Sequence, residues 1–210
     1  MIKLLITGAV LLLFTCNETD ENQPSDEQLS GENTQQVLTE KPQQLSDEQN
    51  TFLTFYQSFT TAIESKKAVD VNAFIDETFG VYFIESNGAM PSFNRQYDVA
   101  KFKSVRGEIF FALNFTELNQ QAIFEELPKI ICDATPYDKQ GCFVKKINPF
   151  VNDEFWYYTD LNEKEKQAIS VFAEKIDFTV VNTSTGKFYF TKNGNSWKIG
   201  FIDLRVPCEA

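Results

Sequence analysis

Ile176-Asp177-Phe178-Thr179-Val180 and Phe188-Tyr189-Phe190-Thr191-Lys192-Asn193-Gly194-Asn195-Ser196-Trp197-Lys198-Ile199-Gly200-Phe201 decide the fold of this chain. Apolar side chains recur at every second position: Ile176, Phe178, Val180, then Phe188, Phe190, then Trp197, Ile199, Phe201. A period of two puts one set of side chains on one face of a strand. Asn193-Gly194 sits between two such runs, and an Asn-Gly pair favours the positive φ angles of a two-residue hairpin turn. The C-terminal third therefore reads as a meander of antiparallel strands with one face buried.

Working toward the N-terminus, the period changes. Ala168, Ile169 and Phe172 follow helical spacing within Leu161 to Lys175, with Glu163, Lys164 and Lys166 on the outer face. At the start of the domain, Ser46-Asp47-Glu48-Gln49 has the form of a capping box. Phe52, Phe55, Tyr56, Phe59, Ala62 and Ile63 then mark an amphipathic helix to about Ser65. Asp70 is expected to cap a short second helix that stops before Gly80, and Val81 to Ile84 reads as a strand. Ser86 to Ser92 reads as a loop, and Asp98 as the start of a short helix through Phe102. The middle is less periodic. Glu108 to Leu118 fits helix or strand and is read as helix. Ala122 to Leu127 is read as a helical turn, and Lys129 to Cys132 with Cys142 to Ile147 as the two arms of a hairpin.

The first forty-five residues have a different character. Lys3 precedes eleven uncharged residues, Leu4 to Phe14, which is about half of the ~20 a membrane-spanning helix needs. This matches the apolar core of a signal peptide. Leu13-Phe14-Thr15-Cys16 resembles a bacterial lipobox, although Phe14 and Thr15 stand where small residues are preferred. The resemblance implies cleavage before Cys16 and acylation of its thiol. A retained apolar anchor and an ordinary signal peptide are the alternatives. Residues 17–45 hold seven acids and one base, Lys41, with few large apolar side chains. Such a segment cannot offset its chain entropy and is expected to be a disordered acidic tether. Asn17-Glu18-Thr19-Asp20-Glu21 loosely resembles the surface-export signals of Bacteroidota-type lipoproteins. The expected layout is a signal peptide at 1–15, a lipidated Cys16 with its tether at 16–45, and a single domain at 46–210. It implies the cell envelope, as an outer-membrane lipoprotein facing the periplasm or the surface, with the N-terminal lipid as the membrane contact.

Charge and composition exclude several functions. The net charge is −11; allowing +1 for Lys3 and −6 for the tether leaves −6 on the domain. An acidic domain argues against nucleic acid as a partner. The chain has no histidine, which removes Ser-His and Cys-His nucleophile pairs and the commonest general base. Three cysteines besides Cys16 and no histidine make a zinc site improbable, so neither metal nor cofactor is expected. In an oxidising compartment those three imply one disulfide and one spare thiol. Cys132 and Cys142, flanking a turn-rich stretch, are the expected pair; pairing of Cys208 with either is the alternative.

Two or three N-terminal helices before a sheet that ends in Asn193-Gly194-Asn195-Ser196-Trp197-Lys198-Ile199 resemble the cystatin-like roll of the nuclear-transport-factor-2-like and SnoaL-like superfamily. Phe55-Tyr56, Gly80-Val81-Tyr82, Leu127-Pro128 to Cys132 and Gly141-Cys142-Phe143 also resemble domain-of-unknown-function lipoproteins of Bacteroidota-type bacteria. The resemblance implies an α+β fold with helices packed on a curved antiparallel sheet around a conical pocket. It implies no reaction, since function lies in the grafted site. Superfamily members that use an Asp-His pair are excluded in that form.

Among acids that can face a pocket, Glu85, Asp133, Asp177 and Asp203 stand on predicted strands and loops. Asp203 follows Phe201 by two and so shares its face; it is the one acid singled out as a catalytic candidate, and Arg205 or Arg106 would have to pair with it. Ser184-Thr185-Gly186-Lys187 has a Ser-x-x-Lys spacing but straddles a predicted turn, where these residues are ordinary. Tyr82, Trp156, Tyr157 and Tyr158 are candidate contacts to a ligand or partner. Read as an extended segment, the last three must place at least one ring outward. The expected function is thus a non-enzymatic binding or interaction lipoprotein holding a small ligand, a glycan or a protein partner. The alternatives are an enzyme of the same fold using buried carboxylates, or a structural subunit of an envelope assembly.

Overall fold

The computed structural model describes residues 44–208 with the exception of 89. The signal segment, Cys16 and the tether up to residue 43 lie outside the described residues. Ser46 opens helix α1 (Asp47–Glu64) with a complete capping box: Gln49 N donates to Ser46 Oγ at 3.2 Å, and Ser46 N donates to Gln49 Oε1 at 2.7 Å. The short α2 (Ala68–Asn72) follows, with Asp70 inside it rather than at its cap. Strands β1 (Val81–Asn87) and β2 (Met90–Gln96) form a hairpin around Asn87-Gly88, with Asn87 opposite Met90. The expected loop at 86–92 is therefore mostly strand, because pairing runs as far as Asn87 and Met90, and Gly88 takes φ +77°.

The chain then passes through single 3-10 turns at Val99–Lys101 and Phe110–Ala112 to β3 (Ala122–Phe124) and β4 (Cys142–Lys145). Two more 3-10 turns, Pro149–Val151 and Phe155–Tyr158, lead to α3 (Glu163–Ala173). The meander β5 (Ile176–Asn182), β6 (Gly186–Asn193) and β7 (Ser196–Asp203) completes one seven-stranded sheet in the order β2-β1-β7-β6-β5-β4-β3. The protein is α+β with a C-terminal meander, but the sheet is mixed. β1 runs parallel to β7, and β3 runs parallel to β4.

The middle of the chain departs from expectation. Residues 108–118 form no longer helix than one 3-10 turn, and 122–124 is an edge strand. Cys142 to Lys145 pairs with β5 and β3, not with 129–132. Residues 129–138 close on themselves instead: Ile130 bridges Tyr137, Asp138 N donates to Lys129 O, and Lys129 N donates to Asp138 Oδ1.

The sheet carries a core on each face. On one face Phe52 and Phe59 of α1 pack with Phe83, Phe178, Phe188 and Phe190, with Phe52 stacked on Phe178 at 4.1 Å between ring centroids. Against α3 and the turn at 155–158 lie Tyr82, Ile84, Phe150, Trp156, Phe172, Tyr189 and Phe201. Two register shifts divide the side chains between these cores. Ile176 and Phe178 bracket one, and Ile199 and Phe201 bracket the other. Each inserts one residue against β6, so Ile176 and Phe201 turn to the α3 face while Phe178 and Ile199 face α1. The simple alternation read from the sequence therefore breaks at Asp177 and Gly200. A Cβ at Gly200 would stand 3.3 Å from Phe172, Ile176 and Thr191 atoms, so glycine lets α3 approach the bulge.

The expected disulfide is corrected. Cys132 bonds Cys208 with 5.5 Å between Cα atoms, and Cys142 is a buried free thiol. The reason is the pairing of β4, whose register turns Cys142 into the α1-side core. There its Sγ contacts the Tyr56 hydroxyl at 3.6 Å, and burial pushes the thiol up to about 11.

No helix among the described residues is long and apolar enough to cross a membrane.

Candidate functional site

Aromatic side chains occupy the α1-facing core, and clefts of similar volume open at several places on the domain, one of them at the end of the sheet where β1 and β7 finish. A cleft of about 370 Å³ opens there. Its walls come from four places: the end of β1 with Glu85 and Ser86, a turn at 104–108, the β5–β6 turn with Ser184 and Thr185, and the tail after β7 with Leu204 and Val206. Leu113 and Asn114 complete it.

Each wall is locally determined. The turn is built on Ser104, which is buried and whose Oγ accepts from Arg106 N at 3.2 Å and Glu108 N at 2.9 Å. Ser104 N donates to Glu108 O, closing the turn, and Gly107 supplies φ +85°. Asn182 organises the β5–β6 turn: its Oδ1 accepts from Ser184 N, and its Nδ2 donates to Glu117 O. A Cβ at Gly186, whose φ is +151°, would lie 2.6 Å from Asp203 O, so glycine is required where this turn meets the end of β7. The tail is held because Leu204 N donates to Ile84 O at 2.8 Å.

Glu85 is the unusual residue of the cleft. It is 7% exposed, and its Oε1 accepts from Val105 N at 3.2 Å. Its Oε2 is buried and has no partner. Thr185 Oγ1, in another wall of the cleft, is also buried and without a partner. A buried polar group left unpaired costs on the order of 1–3 kcal/mol, and native proteins leave few of them. Burial raises the Glu85 carboxyl above the usual range; the Val105 N–H lowers it, Glu108 raises it and Arg106 lowers it. Folding thus takes up protons at Glu85. Its contribution to stability declines as pH climbs through the ordinary carboxylate pKa to the raised one.

The other candidates are placed as follows. Asp203 is fully buried and bound to Arg205, which donates from Nε and from its terminal nitrogen at 2.8 Å each and from the backbone N at 3.1 Å. Arg205, not Arg106, is its partner, and the pair leaves Asp203 tied up in structure. Asp177 Oδ2 accepts from the Trp197 indole N–H at 2.8 Å, which employs the bulge residue inside the fold. Asp133 lies exposed in a loop. Ser184 donates to Glu117 Oε2 at 2.8 Å, and no Ser–Lys contact forms. No cluster of metal-ligating side chains occurs among the described residues.

Trp156, Tyr157 and Tyr158 separate. The segment is a 3-10 turn, not a strand, so Trp156 points inward at 1% exposure while Tyr158 is 80% exposed and Tyr157 partly so. Trp156 is corrected from surface contact to core residue, although its buried indole N–H lacks a partner. Tyr82 is likewise buried, stacked against Phe201 at 5.5 Å, with the Arg95 guanidinium over its ring.

Glu85 was visible in the sequence as one acid among four. The burial that distinguishes it depends on Val105 and on the tail after β7, both remote in the chain. These features define an α+β domain with a mixed seven-stranded sheet and a polar cleft at one end of it. No family model, curated protein or solved structure matches the chain.

Proposed function

We propose that this chain is an exported lipoprotein whose domain binds a small molecule in the Glu85 cleft. The observation that carries the reading is the buried, unpartnered Glu85 Oε2 in the wall of an open cleft. A ligand that brings a hydrogen-bond donor to this atom satisfies it, and site residues held at a cost to stability are characteristic of function. Cys16 supplies the anchor and residues 17–45 the tether, placing the domain at the cell envelope on the outer membrane. The cystatin-like roll is proposed for the domain as well. Its support is the parallel pairing of β1 with the last strand, the antiparallel meander β5-β6-β7, and α1 packed on one face. The filled α1-side core moves the binding space from the interior of such a cup to its end.

The test is a small-molecule screen read by thermal shift, with Glu85→Gln beside the wild type. Wild type is expected to gain several degrees with a binder. Glu85→Gln keeps an acceptor for Val105 N–H and removes the carboxyl group. It is expected to lose the ligand shift. A folded Glu85→Gln that still responds to the binder would defeat the reading.

The anchor is tested separately. Cys16→Ala is expected to move the protein from the membrane fraction to the soluble fraction; unchanged membrane association would defeat acylation as the anchor.

A second reading, an enzyme using Glu85 as a general acid or base, is favoured by the upward shift of that carboxyl. Turnover of a bound ligand, lost in Glu85→Gln, would establish it over binding alone.

A further inference from the structure

We propose that the cleft takes a free α-amino acid, with its ammonium group on Glu85, its carboxylate on Arg106 and its side chain against Leu204 and Val206. The inference rests on the binding reading above and narrows it to a ligand class.

The argument is one of matched charges. Glu85, Glu108 and Arg106 line a single cleft, and neither Glu108 nor Arg106 forms an ion pair within 4 Å among the described residues. Both signs are thus available to a ligand from one short turn, with Glu85 beneath it. Glu85 Oε2 is an acceptor without a donor, and an ammonium group offers three. Thr185 Oγ1 is a second buried polar atom of the same cleft without a partner. Arg106 is exposed, and its fork of donors matches a carboxylate. Leu204 and Val206 give an apolar wall beside this polar end. The volume of about 370 Å³ is at the lower end of the roughly 300–1,000 Å³ of small-molecule sites.

Other ligand classes fit worse. A phosphate-like dianion would meet two carboxylates. A polyamine would meet Arg106. A neutral sugar would cover charged groups without neutralising them, and specificity arises from such uncompensated groups as much as from favourable contacts.

The experiment is calorimetric titration of the full-length chain in detergent with the twenty common amino acids. The best binder is then compared with its methyl ester, which lacks the carboxylate, and its N-acetyl form, which lacks the ammonium. Each blocked form is expected to bind about 10- to 100-fold more weakly, the range for losing a hydrogen bond to a charged group. Arg106→Gln is expected to bind the amino acid and its methyl ester equally, and Glu85→Gln to bind the amino acid and its N-acetyl form equally. Arg106 is exposed, so its variant keeps the fold, and a thermal unfolding curve checks both variants. If the methyl ester binds wild type as tightly as the parent, the amino-acid inference is overturned while binding at Glu85 stands. If none of the twenty binds, while the broader screen finds another ligand that needs Glu85, the inference is likewise overturned and the binding reading survives. If neither set binds, both fall.

Discussion

Asp203→Ala is expected to lower the unfolding free energy by about 3 kcal/mol, the lower end of the cost of breaking a buried ion pair. The carboxylate is wholly buried and accepts three hydrogen bonds from Arg205. Its loss strands a guanidinium whose side chain is only 30% exposed and which lies 4.4 Å over the Phe155 ring. That partial exposure lets water reach Arg205, which keeps the cost at the lower end. Desolvating both charges was itself expensive, so removing both should hurt less than removing one. The double variant Asp203→Ala with Arg205→Met is expected to recover at least about 1 kcal/mol of the loss. Urea unfolding of the three proteins measures this. Equal stability of the single and double variants would show that Arg205 is not the group left stranded.

Removing the Cys132–Cys208 bridge is expected to cost more. The cysteines are 76 residues apart, and the chain-entropy relation gives about 4.5 kcal/mol at 25 °C for a loop of that length. The enclosed segment includes β4, α3 and the whole C-terminal meander, so the unbridged denatured chain gains freedom over nearly half of the described residues. The variant carrying both Cys132→Ser and Cys208→Ser is compared with wild type by urea unfolding. A loss below about 1 kcal/mol would mean that the tail contributes its contacts without the bond. In denatured, unreduced protein lacking Cys16, one thiol should react, and Cys142→Ala should abolish it. Two remaining reactive thiols would contradict the bridge.

The elements with a long, regular period were legible in the chain itself. The capping box at Ser46 and the 3–4 spacing from Phe52 define α1, and Asn193-Gly194 defines the β6–β7 turn, because each signal is local. The segment from Glu108 to Ile147 was not legible. It holds single turns and strands of three or four residues whose pairing is set by β4 lying against β5. Trp156-Tyr157-Tyr158 fell to the same ambiguity: a 3-10 turn and a strand both put neighbouring side chains on different sides, and only packing against Phe150 selects Trp156 for the interior. The disulfide turned on an identical point, since one register decision sends Cys142 inward. In the candidate site, Asp203 was correctly placed on a buried face with Arg205 as a potential partner, yet that pairing is what withdraws it from chemistry. Glu85 stood out only once Val105, Thr185 and the tail were brought around it.

The parallel pairing of β1 with β7 also governs when this fold can come into being. β7 is the last strand of the sheet in chain order, yet it has neighbours on both sides, β1 and β6. Tyr82 meets Phe201 across this junction, so the β1–β2 hairpin has no place in the sheet until the final strand is available. Contacts this distant in sequence are slow to form, because the loop must close before any of them is gained. On the proposed export route, a chain threaded across a membrane from its N-terminus would therefore stay open for the whole passage. Its sheet, its cleft and its Cys132–Cys208 bridge would then all be completed on the far side, within the same closing segment.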